Sequence, residues 1–230
     1  MTIKEIIAEA QAIFSATWNI REGRKIPDTP DLQLGNDGLT LNGAVLYADM
    51  ADSTNLVDRF KPSFAAEIYK TYLLGACRII RDNGGEITAF DGDRVMAVYV
   101  GEYKNTSAVK TALKINAYVI ELNALIKRAY PTTSYVLSQS VGIDSSELLV
   151  ARTGIRNSND LVWVGRAANY AAKLSALADA TFPTYITEAV FAKLDDPGKY
   201  GGQPRSLMWE KRTWTERGIT VYRSAWSWKF

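Results

Sequence analysis

The chain has 230 residues, of which 47% are apolar and 23% charged, and its 27 Lys and Arg nearly balance 25 Asp and Glu. That length suits one domain with a sizeable core, and a net charge of +2 without a basic block leaves nucleic acid unsupported as a partner. There is no histidine and a single cysteine, Cys77, which excludes Ser-His-Asp and Cys-His catalysis, His-ligated zinc or iron, and an internal disulfide.

Any metal must therefore be held by oxygen, which points to magnesium, manganese or calcium. Acid–base work falls to carboxylates, Lys, Tyr, the substrate or metal-bound water. At the start of the chain, Ile3, Ile6, Ile7, Ala10, Ile13, Phe14 and Trp18 recur at helical spacing and predict an amphipathic helix. Glu5 and Glu9 interrupt what a signal peptide would keep apolar, and no apolar run approaches a membrane span. With the lone cysteine, the expectation is a cytoplasmic protein without a membrane segment.

"REGRKIPDTPDLQLGNDG" is rich in Pro, Gly and charge and reads as an irregular arm, so residues 1–40 form a helix and arm and residues 41–230 the main domain. The domain's first strand is Ala44 to Ala48, and Ser53 or Thr54 then caps a short helix through Phe60. Pro62 opens a longer helix with Phe64, Ile68, Tyr72, Ala76 and Ile79 on one face, ended by "DNGGE" with Gly84 as a left-handed cap. "EITAF" and "VMAVYV" are strands joined by "DGDR", where Asp91-Gly92 is a hairpin signal. A third long helix runs from Ser107 to Tyr130 and stops at Pro131. "SYVLSQSVGI" is a strand, "SELLVARTG" and "NDLVWVG" an additional strand pair, "RAANYAAKLSALA" a helix, and "TYI" and "ITVYRS" late strands.

Strand, helix pair, hairpin, helix, strand is the split βαββαβ order of a ferredoxin-like α+β core. In that topology the second hairpin strand runs antiparallel beside the first strand, so Asp49, where "AVLYAD" exits, meets Asp93 in the hairpin turn. Two carboxylates at adjoining strand ends suit divalent ions whose shell phosphate oxygens complete. The N–H groups around Ser53, Thr54 and Asn55, at the following helix start, suit phosphate. Two other motifs fail. The two-aspartate loop of haloacid-dehalogenase-like phosphatases needs acids two apart, whereas Asp49 and Asp52 are three apart, and "GGEIT" lacks the second acid of a GGDEF loop. In "WVGRAANYAAKLSALA", Asn169 and Lys173 lie four apart on one helical face, with Arg166 near the helix start.

"VLYADMADST", "FDGDRVMA", "VGIDSSELLVARTG" and "VWVGRAANYAAKLS", in that order, resemble the motifs of class III nucleotidyl cyclases. The resemblance runs from about Leu41 to Phe230. It implies a cyclase catalytic domain working as a homodimer with two shared sites. Two divalent metal ions, Mn2+ or Mg2+, would be held by Asp49, Asp93 and the Met50 carbonyl, while the partner subunit supplies Asn169 to orient the ribose and Lys173 at the transition-state position.

The chain departs from the family pattern in ways that bear on substrate. Lys173 stands where Arg is usual, keeping the charge without the planar fork. Asp52 replaces a common glycine, and Ala89 and Val162 occupy the positions that read purines. A cyclase without purine readers resembles the pyrimidine cyclases of bacterial Pycsar antiphage systems, whose leading arm and "LYADMADST" look similar. That resemblance implies a pyrimidine nucleoside triphosphate as substrate and a separate cyclic-nucleotide-binding effector. Tyr47 and Arg94 are the candidate base readers, and Lys211 in "WEKRTW" the candidate for the γ-phosphate. UTP, giving cyclic UMP, is the first expectation. A cytidylate cyclase, a purine cyclase and a non-catalytic nucleotide-sensing domain are the alternatives.

Overall fold

A computed structural model describes residues 1–177 and 179–229. The chain opens with α1 (Ile3–Ser15), started by a capping box in which Thr2 and Glu5 exchange backbone and side-chain hydrogen bonds. Next comes β1 (Asn19–Glu22), so the arm is not wholly irregular. It is followed by β2 (Asp37–Ala51), α2 (Ser53–Arg59), α3 (Pro62–Asp82), β3 (Glu86–Asp91), β4 (Arg94–Tyr99) and α4 (Lys104–Ala129). The second half contains β5 (Ser138–Ile155), β6 (Ser158–Val164), α5 (Arg166–Leu177), β7 (Thr184–Thr187), α6 (Glu188–Phe191), α7 (Asp196–Lys199), β8 (Tyr200–Gly201), β9 (Ser206–Leu207), β10 (Glu210–Trp214) and β11 (Ile219–Ser224). The predicted ends of the fifth helix and of the domain, Ala178 and Phe230, lie outside the described residues.

The main sheet runs β10-β11-β7-β5-β2-β4-β3, with β1 added beside β2 and β6 beside β5. Its β5-β2-β4-β3 portion is the ferredoxin-like core that the element order predicts. Three differences from the sequence reading reshape the elements that frame the sheet. The first strand starts seven residues before Ala44, at Asp37, because β1 pairs parallel with it from Asn19↔Asp37 to Glu22↔Thr40. "SYVLSQSVGI" and "SELLVARTG" are not separate strands but one continuous β5, held straight by β2 along nearly its whole length. The cap of α2 is Asp52, in the left-handed region at φ 61°, and not Ser53 or Thr54.

Alternation along β2 assigns the two sheet faces. Ala44, Leu46, Ala48 and Met50 meet Ile68, Tyr72 and Ala76 of α3 and Leu113 of α4 in the larger core. Burying the Leu, Ile and Met side chains among these stabilises by about 1.5–3 kcal/mol each. Val45 and Leu41 face the other way, against Ala167, Ala168 and Ala171 of α5 and the fully buried Leu32 of the arm. The arm is clasped again at Asp37, whose carboxylate accepts from Asn19, Arg21 and the Gln33 amide. By contrast α1 buries no residue, although Asn36 donates to the Ile13 and Ala16 carbonyls at its end. No helix among the described residues is long and apolar enough to cross a membrane.

Candidate active site

Asp49 shares the sheet face of Val45 and Tyr47 by the two-residue period of β2. The register Ala48↔Val95 brings it level with Arg94, the first residue of β4, and Asp93 immediately precedes that strand. Gly92, at φ 61°, makes the tight turn that returns the chain to this point. The carboxylates predicted to converge therefore do so at one end of the β2–β4 pair.

Arg94 donates from Nε and Nη2 to Asp49 Oδ2 at 2.9 and 2.7 Å. Burial raises the Asp49 carboxyl above its ordinary value, Arg94 opposes that, and the charges of Asp93 and Asp91 raise it further. Asp93 has a buried Oδ2 with no hydrogen-bond partner among the described residues. These two acids fit a hard divalent cation. The donors are oxygen, their like charges are close enough to disfavour one another, and one buried oxygen lacks any partner. No group of three acidic or thiol side chains able to hold a metal occurs among the described residues, so a bound ion needs backbone or substrate oxygens as well. Met50 is buried beside Asp49 and sits in the ladder opposite Gln139.

Tyr47 is half-buried on the Asp49 face, and burial raises its phenol, with Arg94 lowering and Asp91 raising it. It packs with Ala89 and Met96, so the base-reader candidates Tyr47 and Arg94 come together with Asp49 as neighbours. Val162 lies partly exposed on β6, away from that cluster. Ser53 and Thr54 form the first turn of α2, directly after the Asp52 cap, which is braced by a 2.5 Å bond from Asn55 Nδ2.

Asn169 and Lys173 are exposed along α5. The helix is seated by small residues: a Cβ at Gly142 would lie 2.1 Å from the Ala171 carbonyl oxygen and 2.5 Å from the Ser175 nitrogen. Its start is fixed by Asp144, which is fully buried, accepts from Arg166 Nε at 3.0 Å and from Thr187 Oγ1 at 2.5 Å. Gly142 and Asp144 were missed as site-building residues, although a Gly and an Asp inside the apolar run "SVGIDSS" are the visible signal. Lys211 is exposed on β10, with β11, β7 and β5 between its strand and β2. Within one chain, then, Asp49, Asp93, Arg94 and Tyr47 converge, whereas Lys211 lies across the sheet from them.

No protein-family model matches the chain. It is 48% identical over 228 residues to a uridylate cyclase of Xanthomonas perforans, covering 98% of this chain and 97% of the relative. It is 49% identical over 219 residues to a uridylate cyclase of Burkholderia cepacia, covering 94% and 93%. Among solved structures, the adenylyl cyclase CyaB from P. aeruginosa superposes with a TM-score of 0.70 at 18% identity, over 84% of this chain and 97% of that one. The guanylyl cyclase Cya2 does so with a TM-score of 0.69 at 16% identity, over 83% and 94%. The structural matches give the fold of a cyclase catalytic domain, and the full-length sequence matches give the relationship: the chain belongs to the uridylate cyclase family and is a nucleotidyl cyclase.

Proposed function

We propose that this enzyme converts UTP to 3′,5′-cyclic UMP and pyrophosphate in a homodimer with two shared sites. The observation that carries the reading is the meeting of Asp49 and Asp93 at one sheet end, with the buried Oδ2 of Asp93 left without a partner. The nearly full-length likeness to uridylate cyclases supports the substrate.

In the reaction the ribose 3′-oxygen forms a bond to the α-phosphorus, the bond from that phosphorus to the bridging oxygen breaks, and pyrophosphate leaves as the 3′-hydroxyl passes its proton to an aspartate carboxylate or to water. Asp49 and Asp93, with the Met50 carbonyl, would hold two divalent ions, Mg2+ or Mn2+, which lower the pKa of the 3′-hydroxyl and neutralise the triphosphate. Asn169 of one subunit orients the ribose over the carboxylates of the other. Lys173 offsets charge growing on the α-phosphate as a point charge. Ser53 and Thr54 lie where the triphosphate passes the first turn of α2, and Lys211 takes the γ-phosphate. Because Lys211 lies strands away from Asp49 in its own chain, a shared site places it with Asn169 and Lys173 on the same contributing subunit.

Base selection follows from hydrogen-bond chemistry. An Arg side chain has donors only, and uracil offers acceptors at O2 and O4, whereas cytosine presents an amino donor in place of O4. Arg94 beside Tyr47 therefore favours uracil, and a site built on such a bond discriminates strongly because the wrong base leaves a buried group unpaired. The product would be a second messenger in antiphage defence, read by a separate cyclic-nucleotide-binding effector. Incubating the purified protein with each of the four nucleoside triphosphates and manganese, then resolving products, tests the reading. Cyclic UMP should dominate. Dominant cyclic CMP, a cyclic purine nucleotide, or no turnover would each replace it.

A further inference from the structure

Where β2, β4 and β3 end together, three charged side chains stand in one row across the sheet. In the β3–β4 ladder Asp91 is paired directly with Arg94, the last pair before the Gly92-Asp93 turn. Residues opposed in this way share one sheet face, with Cβ atoms about 4.5–5.5 Å apart. On its other side Arg94 reaches Asp49 of β2, bonded through Nε at 2.9 Å and Nη2 at 2.7 Å. One guanidinium therefore stands between two carboxylates on the neighbouring strands. Its ion pair is made with Asp49, and none joins it to Asp91 among the described residues. Asp91 is exposed, whereas Asp49 is half-buried.

An ion pair gains more where less water surrounds it, so the half-buried acid outcompetes the exposed one. A divalent ion on Asp49 reverses that balance, because it takes the carboxylate and repels the guanidinium. Asp93 would hold the same ion, which leaves Asp91 as the acid directly across the ladder from Arg94, within reach of its side chain without movement of the backbone. Held there along one edge, the planar fork keeps its remaining donors for a base. We propose that Asp91 is a positioning residue for Arg94: metal binding at Asp49 transfers the guanidinium across the ladder to Asp91, which holds it in the orientation that reads uracil. The proposal rests on the readings of Asp49 as a metal ligand and of Arg94 as the base reader.

Two measurements on the full chain test it, for wild type, D91N, D91E, R94A and the double variant R94A/D91N. One is thermal unfolding during titration with manganese chloride, each shift taken from the variant's own metal-free Tm so that a weakened hairpin does not enter the comparison. The other is competition of UTP against CTP at equal concentration. D91N should need about two- to fivefold more manganese for half of its thermal shift, the worth of an exposed ion pair, because the displaced guanidinium has lost its second partner. Its preference for UTP should fall towards that of R94A, and D91E should keep the preference of wild type. In the R94A background, D91N should leave base preference unchanged and alter manganese demand less than it does in wild type, since only a screened charge has been removed. A D91N preference matching wild type, while R94A loses its own, overturns the role of Asp91 and leaves Arg94 standing as the reader. An equal rise in manganese demand with and without Arg94 also overturns it, since Asp91 would then act on the ion directly. Absence of a manganese shift in wild type overturns the metal reading itself, and an unchanged preference in R94A overturns the reading of Arg94.

Discussion

Arg94 places two of its donors on a single oxygen of Asp49, at 2.9 and 2.7 Å, so this carboxylate, proposed above as a metal ligand, is neutralised by its own chain. The side chains are 35% and 16% exposed, which leaves the guanidinium free to swing away when another cation takes that oxygen. The same residue is the candidate uracil reader. Under the proposed function the two roles would be sequential, release from Asp49 freeing the donors for a base.

For R94A, manganese should therefore bind more readily. A partly exposed pair of this kind is worth about 0.5–1 kcal/mol, so the manganese concentration for half of the thermal shift should fall about two- to fivefold. In the same variant the preference for UTP over CTP in direct competition should collapse. An unchanged preference would assign base reading to another residue.

Shared sites predict complementation between dead chains. D93A removes the proposed metal carboxylate and N169A the proposed ribose contact, so each homodimer should lose cyclisation. After verified subunit exchange, an equal mixture should recover about a quarter of wild-type turnover, because half of the dimers are mixed and each rebuilds one of two sites. No recovery would place all of these residues in a site within one chain.

Seating of α5 on Gly142 makes that glycine a sensitive position. In G142A the new methyl group would meet the backbone of Ala171 and Ser175, lifting the helix from the strand. Overpacking of this kind destabilises by about 1–3 kcal/mol, which differential scanning calorimetry would read as a lower Tm. Because Asn169 and Lys173 ride on the same helix, turnover should fall further than stability, by up to about a hundredfold for an ångström of displacement. A well-folded G142A enzyme with normal turnover would show that α5 need not be held at this depth.

The arm supplies a pH prediction away from the site. The Gln33 amide, followed by Arg21 and Asn19, lowers the Asp37 carboxyl below its ordinary value, with burial opposing them. A depressed carboxyl contributes stability that is fully present above its unfolded value, about pH 4, and is lost as the pH falls through the folded one. Wild type should thus lose more stability than D37N between pH 5 and pH 3 in denaturant titrations. Equal losses would mean that Asp37 does not govern how the arm is held in acid.

The sequence by itself determined the ferredoxin-like core, since alternating apolar runs, the Asp91-Gly92 turn and helical spacing on α3 and α4 are local signals. It also determined the oxygen-only character of any metal site, since a chain with no histidine and a single cysteine lacks the usual nitrogen and sulfur ligands. Its element order was enough to bring Asp49 beside Arg94 and the Asp93 turn, because an antiparallel neighbour leaves one place for the hairpin. What only the tertiary structure decided depends on partners distant in sequence. The merging of two predicted strands into β5 requires β2 alongside, and the clasp of the arm requires Asp37 to meet Asn19, Arg21 and Gln33. Likewise the engagement of Arg94 by Asp49, the close approach of α5 over Gly142, and the unpartnered hydroxyl of Tyr72 exist only once the sheet has closed against its helices. Periodicity marks Tyr72 as a core residue, but it is blind to whether a buried hydroxyl finds an acceptor, because that depends on atoms brought in by other strands.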